Sequence, residues 1–140
     1  MKLFGSWEGK GKKAIEDSFS TGLDTVEIIV GVYNKDYYDG SAWVLGIEKK
    51  TGKLFEVYGS HCSCFGLETQ WQPEITTLKY LKERFESPDR VMGHQYVPMT
   101  FEVILKEIKA TVKKLKKADL TKKATKAKPF SRDLGKGLER

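Results

Sequence analysis

Three short apolar runs between residues 25 and 60 constrain this chain more than any other feature. Residues 25–33 (TVEIIVGVY) are rich in Val and Ile, which suit a pleated backbone. Val26, Ile28, Val30 and Val32 fall on one side of such a strand and Ile29 on the other. Both faces are apolar, so this strand is expected at the centre of a sheet. Residues 34–40 (NKDYYDG) read as a turn, with Asp39-Gly40 as its strongest signal. Residues 41–48 (SAWVLGIE) form the next strand, with Trp43, Leu45 and Ile47 on one face. Lys49-Lys50-Thr51-Gly52 is a hairpin loop with its glycine placed for a positive φ, and residues 53–60 (KLFEVYGS) return as a third strand. The expected fold class is α+β: a three- to four-stranded antiparallel meander packed against two helices.

The helices come from a different periodicity. Across 75–86, Ile75, Leu78, Leu81 and Phe85 share one face, Thr76 or Thr77 can cap the N-terminus, and Ser87-Pro88-Asp89 ends the run. Pro73 is expected near its first turn. A second helix is expected over 101–117, capped by Thr100, with Phe101, Leu105, Ile108, Val112 and Leu115 repeating at spacings of four and three. That stripe can dock on the sheet or on a second copy of the chain, which makes a homodimer one expectation. Residues 1–21 read as a flexible lead-in, mildly helical over 12–19. The run Gly9-Lys10-Gly11-Lys12-Lys13 has neither the spacing of a phosphate loop nor, by this reading, a preceding strand. Residues 118–140 read as a mobile basic tail with Phe130 and Leu134 as anchors. The domain expectation is one α+β unit over 1–117, followed by that tail.

The net charge of +6 is unevenly spread. Residues 1–98 carry 12 basic against 14 acidic side chains, whereas residues 99–128 carry 10 lysines against Glu102, Glu107 and Asp119. A basic segment on a near-neutral body suits a nucleic-acid contact, and Lys109, Lys113, Lys116, Lys117, Lys122 and Lys123 are its candidates. The bland alternative is a solvated helix face, in which late lysines also favour the helix dipole. The longest strongly apolar run, 25–32, falls far short of the roughly 20 residues of a membrane span. The first eleven residues carry charge and glycine where a secretory signal needs apolar residues. We therefore expect a cytoplasmic protein with no membrane partner.

The densest chemistry lies at 59–74 (GSHCSCFGLETQWQPE). One reading is a metal site built from Cys62, Cys64 and His94 or His61. Those ligand types suit zinc, but no second cysteine pair completes the usual spacing. Another is a cysteine nucleophile, Cys62 or Cys64, with His61 or His94 as base and Glu68 orienting the imidazole. No protease or deaminase pattern accompanies it, so a non-enzymatic protein without a cofactor is the expectation. The third reading is a strand-to-helix corner, in which Gly59 and Gly66 allow sharp turns and the cysteines, Phe65 and Trp71 fill core volume. In that corner His61 or Gln70 satisfies loop backbone groups. Its polar members His61, Glu68, Gln70 and Glu74, with Trp71 and the turn aromatics Tyr37 and Tyr38, are then candidates for partner binding.

The run Gly59-Ser60-His61-Cys62-Ser63-Cys64, followed by Gly66-Leu67-Glu68, Gln70-Trp71 and Pro73-Glu74, resembles the signature of an uncharacterised small tailed-bacteriophage protein family. The resemblance covers roughly residues 33–85 and leaves out the lysine-rich helix. It implies a phage accessory protein working in the host cytoplasm. By analogy with that class, it implies one that binds and inhibits a host macromolecule, most naturally a protein.

Overall fold

A computed structural model describes residues 1–36, 39–62, 65–87 and 97–126, the last eight of these by backbone alone. The chain runs β1 (Lys2–Gly5), α1 (Lys12–Phe19), β2 (Val26–Asp36), β3 (Asp39–Glu48), β4 (Leu54–His61), β5 (Glu74–Ile75), α2 (Leu78–Glu86) and α3 (Phe101–Lys126). The strands form one five-stranded sheet in sequence order. β2, β3 and β4 are the expected antiparallel meander, and β5 adds a two-residue pair against Phe55 and Glu56. β1 pairs with β2 in parallel. A parallel pair needs a crossover, and α1 supplies it. The class is α+β, but among the described residues the sheet is mixed, has five strands, and carries three helices rather than two.

Residues 1–21 are therefore not a flexible lead-in. Trp7, Ile15 and Phe19 are buried, and the Trp7 indole N–H donates to Ser18 Oγ at 3.0 Å. An isolated helix of two turns is marginal in water. Burying two large side chains contributes roughly 3–6 kcal/mol, enough to hold α1 on the sheet. The Gly9–Lys13 run does follow a strand, contrary to expectation. Its Lys12 ammonium, however, donates to the Val26 carbonyl at 2.8 Å.

The sheet separates two cores. On one face α1 and the loops bring Trp7, Ile15, Phe19, Leu23 and Leu67 against Val26, Ile28, Val44, Phe55 and Val57. On the other, α2 and α3 bring Leu81, Phe85, Phe101, Ile104 and Ile108 against Ile29, Val30, Val32, Trp43, Leu45 and Ile47. A β-bulge between Ile28 and Val30 divides β2 between them. One extra residue there puts Ile29 and Val30 on the same side. Val26 and Ile28 thus face α1, while Val30 and Val32 face α2 and α3, correcting the single-sided reading of these four residues.

The helices also differ in detail from expectation. α2 starts at Leu78, capped by Thr77, whose hydroxyl accepts from the Tyr80 N–H at 3.1 Å. Ile75 belongs to β5 and is exposed, as is Leu78, so Leu81 and Phe85 alone carry the buried face. Pro73 precedes β5 instead of opening the helix. α3 docks on the sheet through Phe101, Ile104 and Ile108, with Leu105, Val112 and Leu115 packed beside them. The apolar stripe is thus largely taken up by packing within the chain, with Leu105, Val112 and Leu115 partly buried. α3 also continues to Lys126, so the first nine residues of the expected tail are helical.

Candidate functional site

The segment 59–74 leaves the end of β4 and folds back on the α1 face. Two contacts set its shape. Leu67 is buried, and its side chain fills the space above Gly59, where a Cβ would come within 2.8 Å of it. Gln70 then ties the segment to itself. Its Oε1 accepts from the Ser60 N–H at 2.9 Å, and its Nε2 donates to the carbonyls of Ser60 at 2.8 Å and Gly66 at 3.0 Å. Trp71 is half-buried, edge-on to Phe19 and Phe55. Thr69 takes a φ of 68°, a strained left-handed conformation for a β-branched residue, within a turn closed by Gln70 N–H to Leu67 O at 3.1 Å.

What the corner presents outward is different in kind. Cys62, Phe65, Glu68 and Glu74 are exposed, and Phe65 retains 60% of its surface. Glu68 accepts from the Gly66 N–H at 3.0 Å and otherwise faces solvent. At the rim, His61 meets Tyr33 of β2, with Tyr33 OH and His61 Nε2 at 2.5 Å. His61 Nδ1 lies 3.0 Å from the Cys62 carbonyl. A carbonyl oxygen only accepts, so this contact is made by Nδ1–H, and in the tautomer protonated there Nε2 accepts from the Tyr33 hydroxyl. Burial, with the Glu68 charge nearby, pushes the Tyr33 phenol above its ordinary value and keeps it protonated. Gly40 makes this pair possible: a Cβ there would lie 2.4 Å from His61 Nε2. The residue read as a turn signal is instead a strand residue paired with His61.

A second polar cluster sits on the opposite face. Glu56, 3% exposed, accepts from Trp43 Nε1 at 2.8 Å, from Tyr58 OH at 2.9 Å, and from Arg84 of α2. Arg84 also donates to Tyr58 OH and stacks over the Tyr80 ring at 4.5 Å. Burial alone would raise the Glu56 carboxyl. The hydrogen bonds from Arg84 and Trp43, with the Arg84 charge, outweigh it and hold the group below the ordinary carboxylate range. The Thr76 hydroxyl contributes by proximity rather than by a well-formed bond. The same burial and the Glu56 charge push Tyr58 up, and Glu56 holds Arg84 charged despite its burial. This cluster pins α2 to β4. Its sequence signal was available: Glu56 occupies an inward position between Leu54 and Tyr58, where an apolar residue would ordinarily stand.

The structure thus brings together His61, Glu68, Gln70 and Trp71 on one corner, whereas Glu74 lies in β5 paired with Glu56, away from His61. Within it, Gln70 and Trp71 spend their side chains on the fold. Phe65 and Cys62, expected to be buried, are exposed. Tyr33 is the member that sequence reading did not place at the site. Both ring nitrogens of His61 are engaged by partners other than a thiol, which leaves it poorly placed as a base for Cys62. Among the described residues no three His, Cys, Asp or Glu side chains are grouped to hold a metal ion. Cys64, His94, Tyr37 and Tyr38 lie outside the described residues. Lys109, Lys113, Lys116 and Lys117 are exposed on α3, far along the chain from the corner, and nothing is described of the Lys122 and Lys123 side chains. No helix among the described residues is long and apolar enough to cross a membrane.

The chain matches no protein-family model, no curated protein and no solved structure.

Proposed function

We propose that the chain is a non-enzymatic accessory protein of a tailed bacteriophage. In this reading it acts in the host cytoplasm by binding, and thereby inhibiting, a host protein through the corner 59–74. The observation that carries this reading is the division of labour within the corner. Leu67 and Gln70 lock it from inside, and Phe65 stands 60% exposed beside Glu68 on the locked frame. An aromatic side chain held out on a rigid loop is the usual anchor of a protein interface, because little further ordering is needed on binding. The signature resemblance supplies the phage origin and the host setting.

The test uses the full chain expressed in a bacterial host and recovered with its bound proteins. Wild type is expected to slow growth and to retain a host protein. The double substitution Phe65→Ala/Glu68→Ala should remove both effects while leaving the circular dichroism spectrum unchanged. A folded double variant that still captures the same protein and still slows growth would overturn the assignment to this corner.

A further inference from the structure

The surface of α3 is divided by charge in a way that net charge alone does not reveal. At 3.6 residues per turn, Glu107 and Lys114 lie on one flank of the helix. Both are paired there: Lys114 with Glu27 of β2 at 2.6 Å, and Glu107 with the Met1 amino group at 3.8 Å. Lys12 joins them in a cleft of about 300 Å³ lined by Met1, Glu27, Glu107 and Lys114. That flank holds both signs, and its Lys114 and Glu107 are each paired. On the other flank Lys106, Lys109, Lys113 and Lys116 fall within an arc of roughly 80°, all exposed. Among the described residues none of these four has a carboxylate within ion-pair distance.

From this geometry we infer that the Lys106–Lys109–Lys113–Lys116 flank of α3 is a binding surface for the phosphate backbone of a nucleic-acid duplex. It is independent of the corner 59–74. A helix face that serves only for solubility ordinarily mixes signs, because like charges three and four residues apart weaken the helix. Here Glu102 of the first turn shares the arc, four residues before Lys106, but from Lys106 to Lys116 the described side chains of this flank are lysines along a straight row without a carboxylate. Lys106 to Lys116 spans about 15 Å of helix axis at about 1.5 Å per residue. Duplex DNA offers a negative charge every ~1.7 Å of its axis, so such a row meets phosphates along its whole length. The flank carries no arginine for bidentate base contacts and no aromatic residue on which an unpaired base could stack. Both absences point to backbone contact with a duplex, without sequence readout. The apolar face of α3 is buried against the sheet, so this helix has no apolar side to offer a lipid surface.

The experiment is a fluorescence-anisotropy titration of the full chain against a mixed-sequence DNA duplex of about 30 base pairs, from about 50 to 200 mM salt. Four neutralised phosphates predict a slope of log affinity against log salt near −3.6, or about a hundredfold loss of affinity over that range. Lys106→Gln/Lys109→Gln/Lys113→Gln/Lys116→Gln should remove most of that slope. Glutamine keeps comparable helix propensity, so the fold is expected to survive. The four Lys→Arg changes should retain binding, and Phe65→Ala/Glu68→Ala should leave it unaltered. A same-sequence RNA duplex binding comparably supports backbone contact. Tighter binding to the single strand, equal binding to poly-glutamate, or a slope unmoved by the glutamine set overturns the inference.

Discussion

The two polar clusters stand on opposite faces of β4, and each pairs a tyrosine with a titratable partner. Around Glu56 every group faces inward: Trp43, Tyr58 and Arg84 converge on one buried carboxylate. Around His61 only the hydrogen bonds to Tyr33 and the Cys62 carbonyl are internal, and the neighbouring carboxylate and aromatic face solvent. The difference lies in what surrounds the charge. Desolvated, a carboxylate must be matched by donors or it costs several kcal/mol, so it becomes a fastener between helix and sheet. Left wet on a rigid frame, similar groups cost little to hold and remain available to a second molecule. The first cluster explains why α2 sits where it does, and the second has no comparable task inside the fold.

Substitution at the buried cluster should break this contrast most forcefully. Glu56→Ala leaves Arg84 without its buried partner and is expected to cost about 3–5 kcal/mol in urea unfolding. The double change Glu56→Leu/Arg84→Met should be less damaging than either single one, because it removes both charges together. Additive losses would show that the pair is not coupled. Next in size is Leu67→Ala, which empties the plug under the corner and is expected to cost about 2–5 kcal/mol by the same measurement.

Acid acts on the same contrast more gently. The folded Glu56 carboxyl lies below its ordinary value near 4.5, so its contribution is present above that pH and is lost as pH falls through the lower folded value. Unfolding free energy should therefore drop below about pH 4.5, and Glu56→Gln should flatten that decline. Gln70→Ala is a smaller perturbation, about 1–2 kcal/mol, because the groups it frees at Ser60 can reach water. Faster amide exchange at Ser60, with the Glu56 side unchanged, would mark the two clusters as separate. Smallest in stability terms is Gly40→Ala. Its methyl group would displace His61, and the His61 imidazole and Tyr33 ring resonances should shift in NMR spectra while the unfolding midpoint moves little. Unmoved resonances would mean that the pair does not depend on the open space above Gly40.

The meander was legible because its signals are local. Alternating apolar residues, a four-residue hairpin at 49–52, and capping threonines each act within a few positions. β1 was not legible because Lys2–Gly5 is too short to show alternation, and its parallel partner is more than twenty residues away. Trp7, Ile15 and Phe19 were the available hint, since three large apolar side chains rarely accompany a flexible lead-in. The continuation of α3 had a compositional signal: Ala118, Leu120, Lys122, Lys123 and Ala124 are strong helix formers, and no proline intervenes before Pro129. It was missed because the apolar period fades after Leu115. The corner could be found from its residue types, and Gln70 was read as a candidate for satisfying its backbone. Which member anchors it and which faces outward depends on the space above Gly59, a property of packing that no spacing rule carries.

The amide of Gln70 has one further consequence. By engaging both the N–H and the C=O of Ser60, it does for that residue what a neighbouring strand would do. Glu56 is similarly taken by Glu74, and the Leu54 carbonyl by the Thr76 N–H at 2.9 Å. Exposed sheet margins are templates on which chains polymerise. A side chain that impersonates a strand blocks strand pairing at this residue. It also dictates how a visitor can approach: any molecule that recognises the corner must read its side chains, since at Ser60 there is no backbone left to lend.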